Sequence, residues 1–297
     1  MDQRAELGTF LRSRRARIKP EDTGLTLYGE RRRVPGLRRE ELAQLAGVSV
    51  DYYTRFEQGR ADNVSNEIVD AVATALRLGA DERTHLHHLV RAVPVGARGP
   101  VPAPPPQEVR PGVRRLLETM SDTPACVIGR GSEFLAWNPL YAALVTDPAA
   151  LPPERRNKLW LFFCDDEVRG RFTDPRRKAE CLAANFRMDM GRHPGDPRYA
   201  ALVERLSAAS EEFRDVWADQ DVSTKRHGSL GLRHPAVGEF TLSYEALCLT
   251  DPDQLLITYT AEKGSASEAA LGVLAEQVRA AGGGSATPES RAAQAGC

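Results

Sequence analysis

The sequence predicts an all-α N-terminal domain of five helices, followed by an α+β domain with a small antiparallel sheet. Three observations carry this. Apolar residues recur at helical spacing in five stretches before Pro94. Residues 95–108, VGARGPVPAPPPQE, hold five prolines and two glycines, the composition of an extended, semi-rigid linker. Beyond them strands come first, then helices, then strands again, an order that favours α+β over a parallel βαβ sheet. The expected organisation is therefore 1–94, a linker at 95–108, a second domain at 109–279 and a disordered tail at 280–297.

The first helix, over about residues 5–17, rests on Leu7, Phe10, Leu11 and Ile18, with arginines on its other faces. Pro20 ends it. Residues 20–36 form a long connection containing Arg31, Arg32 and Arg33. Two short helices then lie between Leu37 and Arg60, joined at Gly47-Val48-Ser49. Gly47 suits the left-handed conformation that ends a helix. Ser49 is a good N-cap, since its hydroxyl can accept an unpaired backbone N–H of the next helix. That next helix has two faces. Tyr53 and Phe56 point one way, while Val50, Asp51, Thr54, Arg55 and Gln58 fall on the other at i, i+1, i+4, i+5 and i+8. Helix, glycine turn and a helix with a polar outer face make a helix-turn-helix, whose second helix enters the DNA major groove.

A plain αα-hairpin meets the same pattern, and the flanks separate the two readings. Between Arg4 and Arg39 stand eleven lysines and arginines against four acids. Clustered arginines are what phosphate contacts need. The DNA-contacting set is expected to be Arg31, Arg32, Arg33, Arg38, Ser49, Val50, Asp51, Tyr52, Thr54, Arg55, Gln58 and Arg60. Arg55 can donate twice to guanine, Asp51 can accept from cytosine, and Val50 can touch a thymine methyl. Arg31–Arg33 and Arg38 would fix register through phosphates. One such helix is too small for a long operator, so a homodimer on a two-fold DNA site is expected.

Two further helices complete the first domain. Ser65 caps one carrying Ile68, Val69, Val72 and Leu76, and Asp81-Glu82 open another carrying Leu86, Leu89 and Val90. His85, His87 and His88 in the latter lack a partner cluster and read as packing or surface residues.

In the second domain Pro124–Gly129 and Glu133–Trp137 read as short strands, and Asn138-Pro139 opens a helix. Residues 175–190, 197–208 and 210–219 read as helices. Glu239–Leu249 and Leu255–Ala261 alternate and flank Thr250-Asp251-Pro252-Asp253, so they form an antiparallel hairpin. A last amphipathic helix covers 266–279.

Several function classes lose support. The five cysteines are dispersed and odd in number, which speaks against a disulfide framework and for reduced thiols in the cytoplasm. The N-terminus has no signal-peptide pattern and no run approaches a membrane span, so no membrane role is expected. There is no GxSxG, HExxH, P-loop or strand-linked GxGxxG, and His193, His227 and His234 stand apart from any nucleophile or second ligand. The expectation is a non-enzyme without cofactor or metal.

The ordered motifs resemble those of the MmyB-like transcription regulators of actinomycetes, which join an XRE-type helix-turn-helix to a PAS-like ligand-binding domain. The matching stretches are 7–25, 31–60, 110–117, LAWNPLYAAL at 135–144, 192–198, FRDVWADQDV at 213–222 and 233–247. They span about residues 5–278. Two departures are the missing proline before Ser65 and a missing tryptophan within 172–179. The resemblance implies a recognition helix at 49–59, an ion pair between Arg15 and Glu57, and a sensory pocket for a small apolar, fatty-acid-like ligand. The pocket candidates are Trp137, Tyr141, Trp160, Phe163, Phe186, Trp217 and Tyr244, with Arg233 or His234 as polar anchor. The alternative occupants are a protein partner or a planar cofactor such as flavin, and ordinary core packing explains the same aromatic spacings.

Overall fold

The computed structural model describes residues 3–24, 36–61, 63–92 and 105–283. Arg31, Arg32, Arg33, most of the proline-rich linker and the tail beyond 283 lie outside the described residues. Contacts divide the chain into two units. The first comprises Met1–Pro105 together with Ala179–Thr224, and the second Pro106–Lys178 with Lys225–Cys297.

The first unit opens with five helices: α1 (Gln3–Arg17), α2 (Arg39–Ala46), α3 (Val50–Glu57), α4 (Asn66–Ala75) and α5 (Ala80–Ala92). Leu7, Phe10 and Leu11 of α1 meet Leu42, Tyr53, Phe56, Val72 and Leu86 in one buried cluster. Leu37, which enters α2, is fully buried with them. Gly36 has no room for a side chain, since a Cβ there would stand 2.4 Å from the carbonyl oxygen of Arg15.

The second unit begins with α6 (Pro111–Thr119), β1 (Ala125–Ile128), β2 (Phe134–Trp137), α7 (Pro139–Leu144), α8 (Lys158–Cys164) and α9 (Asp166–Gly170). There follow α10 (Pro175–Arg192), α11 (Pro197–Ala209) and α12 (Glu211–Ala218). The chain closes with β3 (His227–His234), β4 (Gly238–Cys248), β5 (Leu255–Thr260) and α13 (Ala266–Gly283). Only the first residues of α10 belong to the second unit; from Ala179 onward α10, α11 and α12 belong to the first. The sequence places these helices with the second domain; here Arg187 of α10 and the turn after α12 contact α1, and Thr224 contacts Asp81 of α5.

The sheet has five antiparallel strands in the order β2-β1-β5-β4-β3. β1 is an interior strand, buried along its whole length, which explains its run of apolar residues without alternation. β4 alternates, with Phe240 and Leu242 buried and Thr241 and Ser243 exposed. β3 is the one strand that the sequence pattern does not announce. It carries Gly228 and Gly231 and lies at the sheet edge, where His227, Ser229 and Arg233 face solvent, so its apolar signal is thin. Helix α13 packs on α7 and β4 and runs to Gly283, a few residues further than its sequence pattern indicates.

Candidate functional site

The helix-turn-helix is built as the side chains dictate. Gly47 takes φ 67°, ending α2, and the N–H of Val48 donates to the Ala43 carbonyl at 3.0 Å. Ser49 is extended at φ −69°, and its hydroxyl accepts the Tyr52 N–H at 3.1 Å. Helix α3 then turns Tyr53 and Phe56 into the core and leaves Val50 47% exposed. Asp51, Arg55, Gln58 and Arg60 are exposed, and Tyr52 and Thr54 half-buried. The structure thus brings Val50, Asp51, Thr54, Arg55 and Gln58 onto one outward face of one helix. Arg38 lies at the start of α2 with its N–H donating to Glu41 at 2.7 Å.

Glu57 explains how that helix is held. It is fully buried. One carboxylate oxygen accepts the Arg15 Nε–H at 3.1 Å. The other accepts Arg39 Nε–H at 2.9 Å and lies 2.7 Å from Arg39 Nη2. The ion pair implied by the family resemblance is present, and Arg39 adds a second arm that sequence reasoning missed. Arg15 also donates to the Leu37 carbonyl at 2.5 Å, tying the entry of α2 to the same point. A buried carboxylate is tolerable because two guanidinium groups surround it.

The aromatic candidates of the second domain separate. In the second unit, Trp137, Tyr141, Phe134 and Tyr259 adjoin one another, with ring centroids 5.7–6.4 Å apart. Burial is the main reason that the phenols of Tyr141 and Tyr259 titrate well above the usual range, and it pushes the Cys126 thiol beside them up to about 12. A second run joins Phe163, Phe162 and Phe172, with Lys178 Nζ 5.2 Å from the Phe172 ring and 5.8 Å from that of Tyr244. Trp160 sits half-buried on α8 with Phe163. His234 has both ring nitrogens engaged, Nε2 donating to the Ala143 carbonyl at 3.0 Å and Nδ1 accepting the Ala236 N–H at 3.2 Å. Burial lowers its pKa, which favours the neutral form. Arg233 is exposed and spent on Glu239 at 2.7 Å.

Phe186 and Trp217 are not with these residues. They belong to the first unit, where Phe186 stacks on Tyr199 at 5.4 Å and Trp217 on Phe213 at 5.3 Å. Their apolar spacing is legible in the sequence, but their partners are not.

Asn138 organises the start of the second unit. Its carbonyl oxygen accepts the N–H groups of Ala125 and Tyr141 at 3.0 and 2.9 Å. Its amide donates to the carbonyls of Met120 and Thr123 at 2.8 and 2.7 Å. All four hydrogen-bonding positions of the side chain are used. One residue therefore joins α6, β1 and α7.

Residues 109–274 match the family model of the MmyB-like transcription regulator ligand binding domain, and residues 6–86 match that of a helix-turn-helix domain. The curated proteins give no match. The first of these stretches includes residues 179–224, which fold with the helix-turn-helix.

Proposed function

Because the chain belongs to the MmyB-like transcription regulators, we propose that it reads a specific DNA sequence with α3 and responds to a small apolar ligand held in its second domain. The observation that carries the DNA half is the two-faced helix α3. It is capped by Ser49, buried through Tyr53 and Phe56, and anchored at Glu57, with Val50, Asp51, Thr54, Arg55 and Gln58 left outward. Arg55 reads a guanine edge, and Arg31, Arg32, Arg33, Arg38 and Arg60 hold phosphates. The helix-turn-helix acts as a homodimer on two half-sites about one DNA turn apart.

The ligand half rests on the family match of residues 109–274 and on two aromatic groups of the second unit, Phe134, Trp137, Tyr141 and Tyr259 in one and Phe162, Phe163 and Phe172 in the other; Trp137, Tyr141, Trp160, Phe163, Tyr244 and His234 are its assigned lining. His234 and Arg233 are already paired within the chain, and the aromatic groups offer apolar surface, which favours an apolar ligand body over a polyanion.

Binding-site selection from random DNA tests the first half. The Arg55→Ala variant is expected to flatten preference at one position, a loss of about 1–3 kcal/mol there. Arg32→Ala is expected to weaken every sequence alike and to reduce the salt slope by about one. Equal loss of specificity from both would refute the division of roles. Mass spectrometry of molecules extracted from the purified chain tests the second half. An apolar metabolite supports the reading. A flavin-like absorbance, or no small molecule under any growth condition, would replace it with a cofactor or a protein partner.

A further inference from the structure

Helix α1 carries two stripes at about 100° per residue. Arg4, Gly8 and Arg15 form one. A Cβ at Gly8 would lie 2.6 Å from the carbonyl oxygen of Glu57, and one at Gly59 would lie 2.8 Å from Arg4 Cβ. Arg15 holds the Glu57 carboxylate. This stripe is the backing of the recognition helix. Glu6, Phe10, Arg14 and Arg17 form the other, on the nearly opposite face. Glu6 accepts Arg187 Nη1–H at 2.7 Å. Arg14 donates to the Gln220 carbonyl at 2.5 Å and pairs with Glu82 at 2.7 Å. Arg17 donates to the Asp219 carbonyl at 2.5 Å and pairs with Asp221 at 2.8 Å.

Arg187 is the centre of this second contact. It is 1% exposed. Besides Glu6 it donates to Gln220 Oε1 at 3.0 Å and to the Trp217 carbonyl at 2.5 Å. Its guanidinium lies 3.6 Å from the centre of the Trp217 ring. Burial lowers its pKa to about 10, which leaves it charged at neutral pH. A buried charge of this kind is costly unless every neighbour is in place, so its partners are held or lost together.

We propose that Arg187 is a positioning residue for DNA recognition. It lies in the stretch matched to the ligand-binding family, and it braces α1 through Glu6 so that α1 holds the Glu57 end of α3. Residues 179–224 thereby reach the element that reads DNA through α1. This deepens the reading above, since it rests on α3 being the DNA-reading helix.

The test uses the full-length chain and three variants: Arg187→Ala, Arg187→Lys and the milder Glu6→Gln. Amide hydrogen exchange is followed in α1, α3 and the sheet, and DNA affinity is measured for the folded fraction on the sequence that the parent selects. Expected are faster exchange in α1 and α3, unchanged exchange in β1, β4 and β5, and affinity lowered about tenfold for Arg187→Ala. Glu6→Gln should shift both readouts in the same direction, and Arg187→Lys should restore part of each. Unchanged α3 exchange and unchanged affinity in folded Arg187→Ala or Glu6→Gln would overturn the proposal. So would a loss spread evenly over α4 and the sheet, because that marks a general stability contact. A parent chain that selects no DNA sequence refutes the proposed function instead, while exchange in α3 still decides the brace.

Discussion

Removing the two arginines that flank Glu57 should cost far more together than apart. Arg39 is 42% exposed on its side chain and shares Glu57 with a second cation, so Arg39→Ala alone should cost no more than about 1 kcal/mol. Arg15 is 14% exposed, and its loss also frees the Leu37 carbonyl, so Arg15→Ala should cost about 1–2 kcal/mol. With both gone, a carboxylate with no solvent exposure has neither guanidinium beside it. Stranding a buried charge costs about 3–5 kcal/mol. Set against about 1–3 kcal/mol for the summed single variants, the midpoints give an excess of about 2 kcal/mol, well above the ~0.3–0.5 kcal/mol scatter of independent sites. The two units need not unfold together, so the measurement should be local: exchange of α3 amides across a urea series gives the free energy of the first unit. A double-variant loss equal to the sum within that scatter would show that Glu57 is not the shared anchor.

Three further outcomes follow from groups described or placed above. His85 is fully buried with both ring nitrogens unpartnered, and burial depresses its pKa to about 3. The unfolded chain then takes up a proton that the folded chain refuses, so stability is whole above about pH 6.5 and falls by about 1.4 kcal/mol per pH unit toward pH 3. His85→Leu should remove that part of the slope in pH-dependent unfolding, and an unchanged slope would assign acid sensitivity elsewhere. Asn138→Ala strands four backbone groups in the second unit and should cost at least about 3 kcal/mol in denaturant unfolding; a loss under about 1 kcal/mol would mean that they re-pair. Native alkylation should label exposed Cys164 and Cys248 and spare Cys126 until the second unit unfolds; rapid labelling of Cys126 would contradict its burial.

What could be read in the sequence was local. The Gly47 stop, the Ser49 cap and the two faces of α3 depend on neighbours within a few residues, and the structure has all three. The Arg15–Glu57 pair spans 42 residues and came only through family resemblance; Arg39, 18 residues from Glu57, had no pattern to mark it. Arg187 is harder still. In a helix with mixed charge it looks like any solvated arginine, and nothing nearby in sequence says that Glu6 lies opposite. Phe186 and Trp217 read as apolar, but their ring partners Tyr199 and Phe213 are not legible, because spacing gives the face of a helix and not what covers it. β3 was invisible for a different reason: an edge strand with two glycines spends few apolar side chains.

The first unit is interrupted, and that has a consequence for synthesis. Residues 1–105 leave the ribosome first, but the unit is completed only by residues 179–224. At about 5–20 residues per second, roughly 6–24 s pass between the emergence of residue 105 and that of residue 224. Glu6 waits for Arg187 for about two thirds of that interval, and Arg14 and Arg17 wait for residues 219–221 for nearly all of it. The packing behind α3 is therefore finished late, after all of residues 106–178 have been made. A chain stalled or truncated just before residue 187 carries all of α3 and still lacks the partner of Glu6 behind it.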